Sequence, residues 1–153
     1  MYAAVLSAHS WLRWAVVLLV LFAVFRAVSG WMLRKPWVRA DDTVGRFATI
    51  ATDLQIVLGL LLYFVYSRYT GLAMDDFGNA MRSPELRYWA VEHPFGMLVG
   101  AALLHVGRKR LDRWSESLRK HRTAAIFFTL ALIAILVAVP WPGTPNPRPL
   151  IPR

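Results

Sequence analysis

Four histidines, His9, His93, His105 and His121, are the side chains of this sequence best suited to chemistry. There is no cysteine. Disulfides, thiolate metal sites, iron–sulfur clusters and covalently attached c-type haem are thereby excluded, and imidazole, Met, carboxylate and backbone oxygen remain as ligands. Counted along the helices predicted below, His9 and His93 both fall in the outer half of a bilayer, and His105 and His121 at or near its inner boundary. Each pair joins a residue of the third predicted span to one from another span, the first outside and the fourth inside. Two neutral imidazoles facing each other from different helices across a flat macrocycle are what bis-histidine ligation of b-type haem requires.

The angular positions qualify this. His93 and His105 are separated by about 120° around their helix and roughly 18 Å along it, so two haems would lie on different sides of the third span. Gly96 and Gly100 fall about 60° and 20° from His93, leaving a nearly side-chain-free groove. A porphyrin edge fits such a groove, and so does a small-xxx-small contact with another helix. Pro94 is placed to kink the helix beside His93. Arg13, Val16, Val20 and Ala27 share the His9 face of the first span. His121 sits in the basic run Arg119-Lys120-His121-Arg122, which also reads as a solvated interfacial segment.

Four charges interrupt the apolar stretches: Arg13, Arg26, Asp53 and Glu92. An unpaired ion in hydrocarbon costs at least about 2.5 kcal/mol, so each needs a partner or water. Matched by depth, Arg26 pairs with Asp53 and Arg13 with Glu92. Arg13 is also placed to neutralise a haem propionate, and Glu92 to carry protons.

The elements that position these residues follow from composition. Of 153 residues, 57% are hydrophobic, too apolar for a soluble domain whose surface must face water. Spanning the ~30 Å hydrocarbon layer takes roughly 20 helical residues, and four segments qualify: 4–32, 47–66, 88–106 and 123–139. The expectation is an all-α, integral membrane four-helix bundle forming a single transmembrane domain over 1–153, with a Pro-rich outer tail at 140–153. The apolar N-terminus lacks a basic leader and is as long as a span, so it reads as a retained helix. The net charge of +9 concentrates in the first loop (Arg34, Lys35, Arg39, Arg46) and the third (Arg108, Lys109, Arg110, Arg113, Arg119, Lys120, Arg122). By the positive-inside rule these loops are cytoplasmic and both termini lie outside. The basic charge is then a topology signal and a contact with anionic lipid, not a nucleic-acid surface. Asp75-Asp76-Phe77-Gly78-Asn79 in the second loop reads as a solvated turn, or as a docking point for a basic carrier.

The segments His9-Ser10-Trp11-Leu12-Arg13-Trp14, Val91-Glu92-His93, Ala102-Leu103-Leu104-His105-Val106-Gly107-Arg108, Lys120-His121-Arg122 and Pro140-Trp141-Pro142 together resemble the small bacterial four-helix membrane proteins described as cytochrome b, loosely similar to the di-haem cytochrome b superfamily. The similarity spans almost the whole chain. It implies a bacterial inner membrane location, one or two b haems, and axial ligation of iron by His9, His93, His105 and His121. The function expected is electron transfer, with a quinol or a larger respiratory membrane complex as partner and homo-oligomerisation left open. Nothing resembles a catalytic nucleophile, a phosphate loop or a metalloprotease motif, so enzyme status stays open. Two other classes fit the same sequence: a cofactor-free accessory subunit of a larger membrane complex, and a proton or metal-ion pathway through Glu92, His93, Arg13, Asp53 and Arg26.

Overall fold

The computed structural model describes residues 1–142 and 146, and among them the chain is helical without a strand. The elements are α1 (Tyr2–Met32), α2 (Arg39–Leu61), α3 (Arg68–Asp75), α4 (Phe77–Arg82), α5 (Pro84–Arg87), α6 (His93–Leu111) and α7 (Ser117–Ala138). A π-helical turn, Leu62–Tyr66, extends α2, and a second, Tyr88–Glu92, leads into α6. Three stretches, Tyr2–Met32, Arg39–Tyr66 and Ser117–Ala138, are long and apolar enough to cross a membrane. The predicted third span forms as α6 but is not among them. The rest of the Pro-rich tail, 143–145 and 147–153, lies outside the described residues.

α1 ends where Arg34 takes a left-handed backbone (φ 50°). The amides of Arg34 and Lys35 then donate back to the carbonyls of Trp31 and Gly30, and Pro36 prevents further helix. α2 begins eight residues before the predicted start, because Asp41 accepts the Val38 amide at 2.9 Å and caps the first turn. This early start corrects the expected Arg26–Asp53 pair. Asp53 stands fourteen residues into α2, roughly 21 Å from its beginning. Arg26 instead reaches Asp41, with contacts of 2.7 and 2.8 Å to Oδ1.

α1 packs on α2 and α7, and α6 packs on α7 and α2. The core is Val16, Val17, Val20, Ala23 and Ala27 of α1, Ala48 and Ala51 of α2, Leu104 and Leu111 of α6, and Ala124, Ala125, Phe128, Ala131, Leu132 and Ile135 of α7. Seven of these fifteen are alanine, which lets the helix backbones approach closely. The second loop is more ordered than expected. α3, α4 and α5 fold there, opened by Ser67, Asp76 and Ser83, whose side chains accept amides of Thr70, Asn79 and Leu86. Asp76 is thus a helix cap.

Candidate functional site

The two π turns meet at one end of the long helices, where the Tyr63 hydroxyl donates to the Ala90 carbonyl at 2.9 Å. Single π turns recur at functional sites because they shift the register of the residues that follow. Beneath them lies a cavity of about 620 Å³, bounded by α1, both π turns, α2 and α6. That volume falls in the range of cofactor and small-molecule sites. His9, Arg13, Gln55, Tyr63, Trp89 and His93 contribute the groups that matter, within a mostly apolar wall.

The structure brings His9 and His93 together. Their ring centres are 6.5 Å apart with an interplanar angle of 66°. The His93 Nδ1–H donates to the Ala138 carbonyl at 2.7 Å. A carbonyl only accepts, so the neutral ring keeps its lone pair on Nε2. Ala138 is the last residue of α7, and its carbonyl has no successor amide within the helix. It also accepts the Tyr88 hydroxyl at 2.8 Å. His9 Nδ1 is buried without a hydrogen bond, as is Gln55 Oε1, whose Nε2 donates to the His9 carbonyl at 3.0 Å. Gly59 gives the His9 ring its room, since a Cβ there would stand 3.3 Å from Cε1.

Arg13 is buried at the cavity wall, with its guanidinium 5.6 Å from the Trp14 ring centre. Its expected partner Glu92 instead pairs with Arg87 at 2.6 Å, because both belong to the turn region outside the long helices. Gly96 and Gly100 correct another expectation. They face α7, where a Cβ would come within 2.6 Å of Ala138 Cβ and 2.7 Å of Ile135 Cγ1. They form a helix contact, continued by Gly107 against Phe127, and line no cofactor groove.

The other two histidines take separate partners. His105 Nε2 bonds Asp53 Oδ1 at 2.8 Å, with side chains 56% and 47% exposed. His121 is 2% exposed and packs against Trp37, ring centres 4.8 Å apart. Its Nε2 lies 3.5 Å from the Pro36 carbonyl, and it touches Gly30 closely. The solvated reading of His121 fails because α7 starts at Ser117, which places this ring on the stripe that buries Ala124, Ala125, Phe128 and Ala131.

The fit of the expected haem can be tested on these distances. An imidazole nitrogen binds a first-row metal at about 2.0–2.1 Å, so rings on opposite sides of one ion stand with centres about 6 Å apart. His9 and His93 meet that spacing, with an anchored Nδ1 on one ring and an unsatisfied buried nitrogen on the other. His121 also has a buried nitrogen without a partner, Nδ1, but its ring is packed against Trp37 and Gly30, His105 is bonded to Asp53, and neither borders the cavity. Among the described residues no group of three or more His, Asp or Glu is placed to hold a bare metal ion. Gln55, Gly59, Tyr63 and Tyr88 were not singled out from sequence as site residues. A lone glutamine amid Leu54-Gln55-Ile56 was the available signal. No family model, curated protein or solved structure matches the chain.

Proposed function

We propose that this chain is a four-span membrane electron carrier of cytochrome b type, with both termini outside and one b haem in the outer cavity between His9 and His93. The carrying observation is the 6.5 Å spacing of these rings over a cofactor-sized apolar cavity. Haem, when bound, supplies reversible one-electron chemistry. The chain's own residues do the rest. Ala138 fixes the His93 tautomer and ring orientation, as a carbonyl partner commonly does for a ligand histidine. Arg13 sets a buried cation where an anionic edge of the cofactor needs neutralising, and the apolar wall keeps water out. The proposal carries one haem and not two, because the inner histidines are engaged elsewhere.

A second reading has a specific observation in its favour. Gln55 Oε1 and His9 Nδ1 are both buried without a hydrogen-bond partner, and a quinol hydroxyl would satisfy the amide oxygen, which only accepts. Oxidised and dithionite-reduced visible spectra of the detergent-purified protein, with pyridine haemochrome quantification, decide between them. A sharp reduced α band with about one haem per chain supports the cytochrome. A colourless protein that yields bound quinone on solvent extraction supports the second reading. A colourless protein without quinone sinks both and leaves the accessory subunit.

A further inference from the structure

Each long helix turns large apolar side chains outward. On α1 these include Leu18, Phe22 and Phe25, and on α7 Ile126, Leu130, Ile133 and Val137. The α2–α6 face has the same spacing of three and four in the exposed Phe47, Ile50, Leu54, Val57 and Leu61 of α2, with Phe64 in the π turn beyond it. On α6 the exposed Phe95, Leu98, Ala102 and His105 repeat it. Into this face the structure sets the bonded pair Asp53 and His105, each about half exposed.

An apolar stripe alone says nothing inside a bilayer, where lipid chains serve as well as leucine. A carboxylate and an imidazole do not belong against hydrocarbon, and in spanning segments such groups face protein or water. The bond between them uses one oxygen of Asp53 and Nε2 of His105. In the ion-paired form of this contact the carboxylate keeps a second accepting oxygen and the imidazole ring a second N–H, on Nδ1. One face therefore offers both a spare acceptor and a spare donor, which a two-fold axis makes complementary to itself.

We infer that the α2–α6 face is the interface of a homodimer, in which the Asp53 and His105 pairs of two copies of this chain meet across a two-fold axis. The inference rests on the membrane placement proposed above and is independent of haem. The absence of native cysteine makes the test clean. Val57→Cys on this face and Val137→Cys on α7 are oxidised with copper phenanthroline in native membranes. Val57→Cys is expected to give a species at twice the 17.4 kDa of the chain, Val137→Cys is not, and adding Asp53→Leu and His105→Leu lowers the Val57 dimer at least fivefold. The dimer is overturned if Val57→Cys stays monomeric, if it yields an adduct of another mass, if Val137→Cys cross-links as well, or if the leucine pair changes nothing. Alkaline carbonate extraction separates the premises: a chain stripped from the membrane sinks the placement and the dimer together, whereas a retained chain without the Val57 dimer sinks the dimer alone.

Discussion

His93 and His121 are both histidines packed against an aromatic ring near the end of a long helix, yet their surroundings prepare them for opposite fates. His93 borders a cavity, its Nδ1 tied to a helix-terminal carbonyl and its other nitrogen left for a ligand. His121 is sealed by Trp37, Gly30 and the Pro36 carbonyl, with no room for anything to approach. Bonding at the nitrogens does not separate the two rings, since His121 also has one nitrogen beside a carbonyl and the other, Nδ1, buried without a partner. What separates them is empty volume, present beside His93 and absent beside His121.

The largest difference to expect is between variants of these two residues. His93→Ala, and equally His9→Ala, should take haem content from about one per chain to near zero while the thermal midpoint without haem moves little. His121→Ala should do the reverse. It leaves a buried void that costs about 2–4 kcal/mol, read as a lower Tm in detergent, and it keeps the reduced α band. Equal spectral loss in both variants would erase the distinction between the two rings.

Next in size is the contact that replaced the expected porphyrin groove. Gly100→Val adds side chain where a Cβ alone would stand 2.7 Å from Ile135 Cγ1, and overpacking of that kind costs about 1–3 kcal/mol. Denaturation in mixed micelles should show that loss with haem per chain unchanged. Loss of haem at unchanged stability would return Gly100 to the cofactor. Asp41→Asn weakens the Arg26 pair and the cap of α2 together, for a cost of about 1–2 kcal/mol, whereas Asp53→Asn should leave the Arg26 environment untouched. Tm values of the two variants check this. The smallest effect belongs to Tyr88→Phe, which removes one of the two bonds on the Ala138 carbonyl and costs about 0.5–1.5 kcal/mol. A shift in the reduced band or midpoint potential would show that the hydroxyl also tunes His93.

Much of this was legible in the residues. Apolar length located the three helices long and apolar enough to cross a membrane, the third predicted span forms as the π turn Tyr88–Glu92 and α6, and counting along the helices brought His9 and His93 to one level. Two of the failures, at Asp53 and at His121, share a physical cause, since hydropathy marks helix starts only where they are apolar and polar first turns are helical too. Residues 39–46 and 117–122 are charged, yet Asp41 caps one helix and His121 already faces the core of the other. Those shifts moved Asp53 away from Arg26 and turned His121 from a surface residue into packing. The role of Gln55 depends on how α2 meets the His9 carbonyl of α1, and that of Ala138 on the π turn that brings Tyr88 and His93 to its carbonyl, and no periodicity reports either.

The measurement that bears most directly on the outer cavity is haem per chain, by pyridine haemochrome, in the His9→Ala and His93→Ala double variant beside the native chain, both purified from haem-replete cells and checked for the same Tm. One haem in the native chain and none in the folded double variant is the predicted result. Haem retained by the double variant, or absent from the native chain, would contradict a cofactor held between His9 and His93.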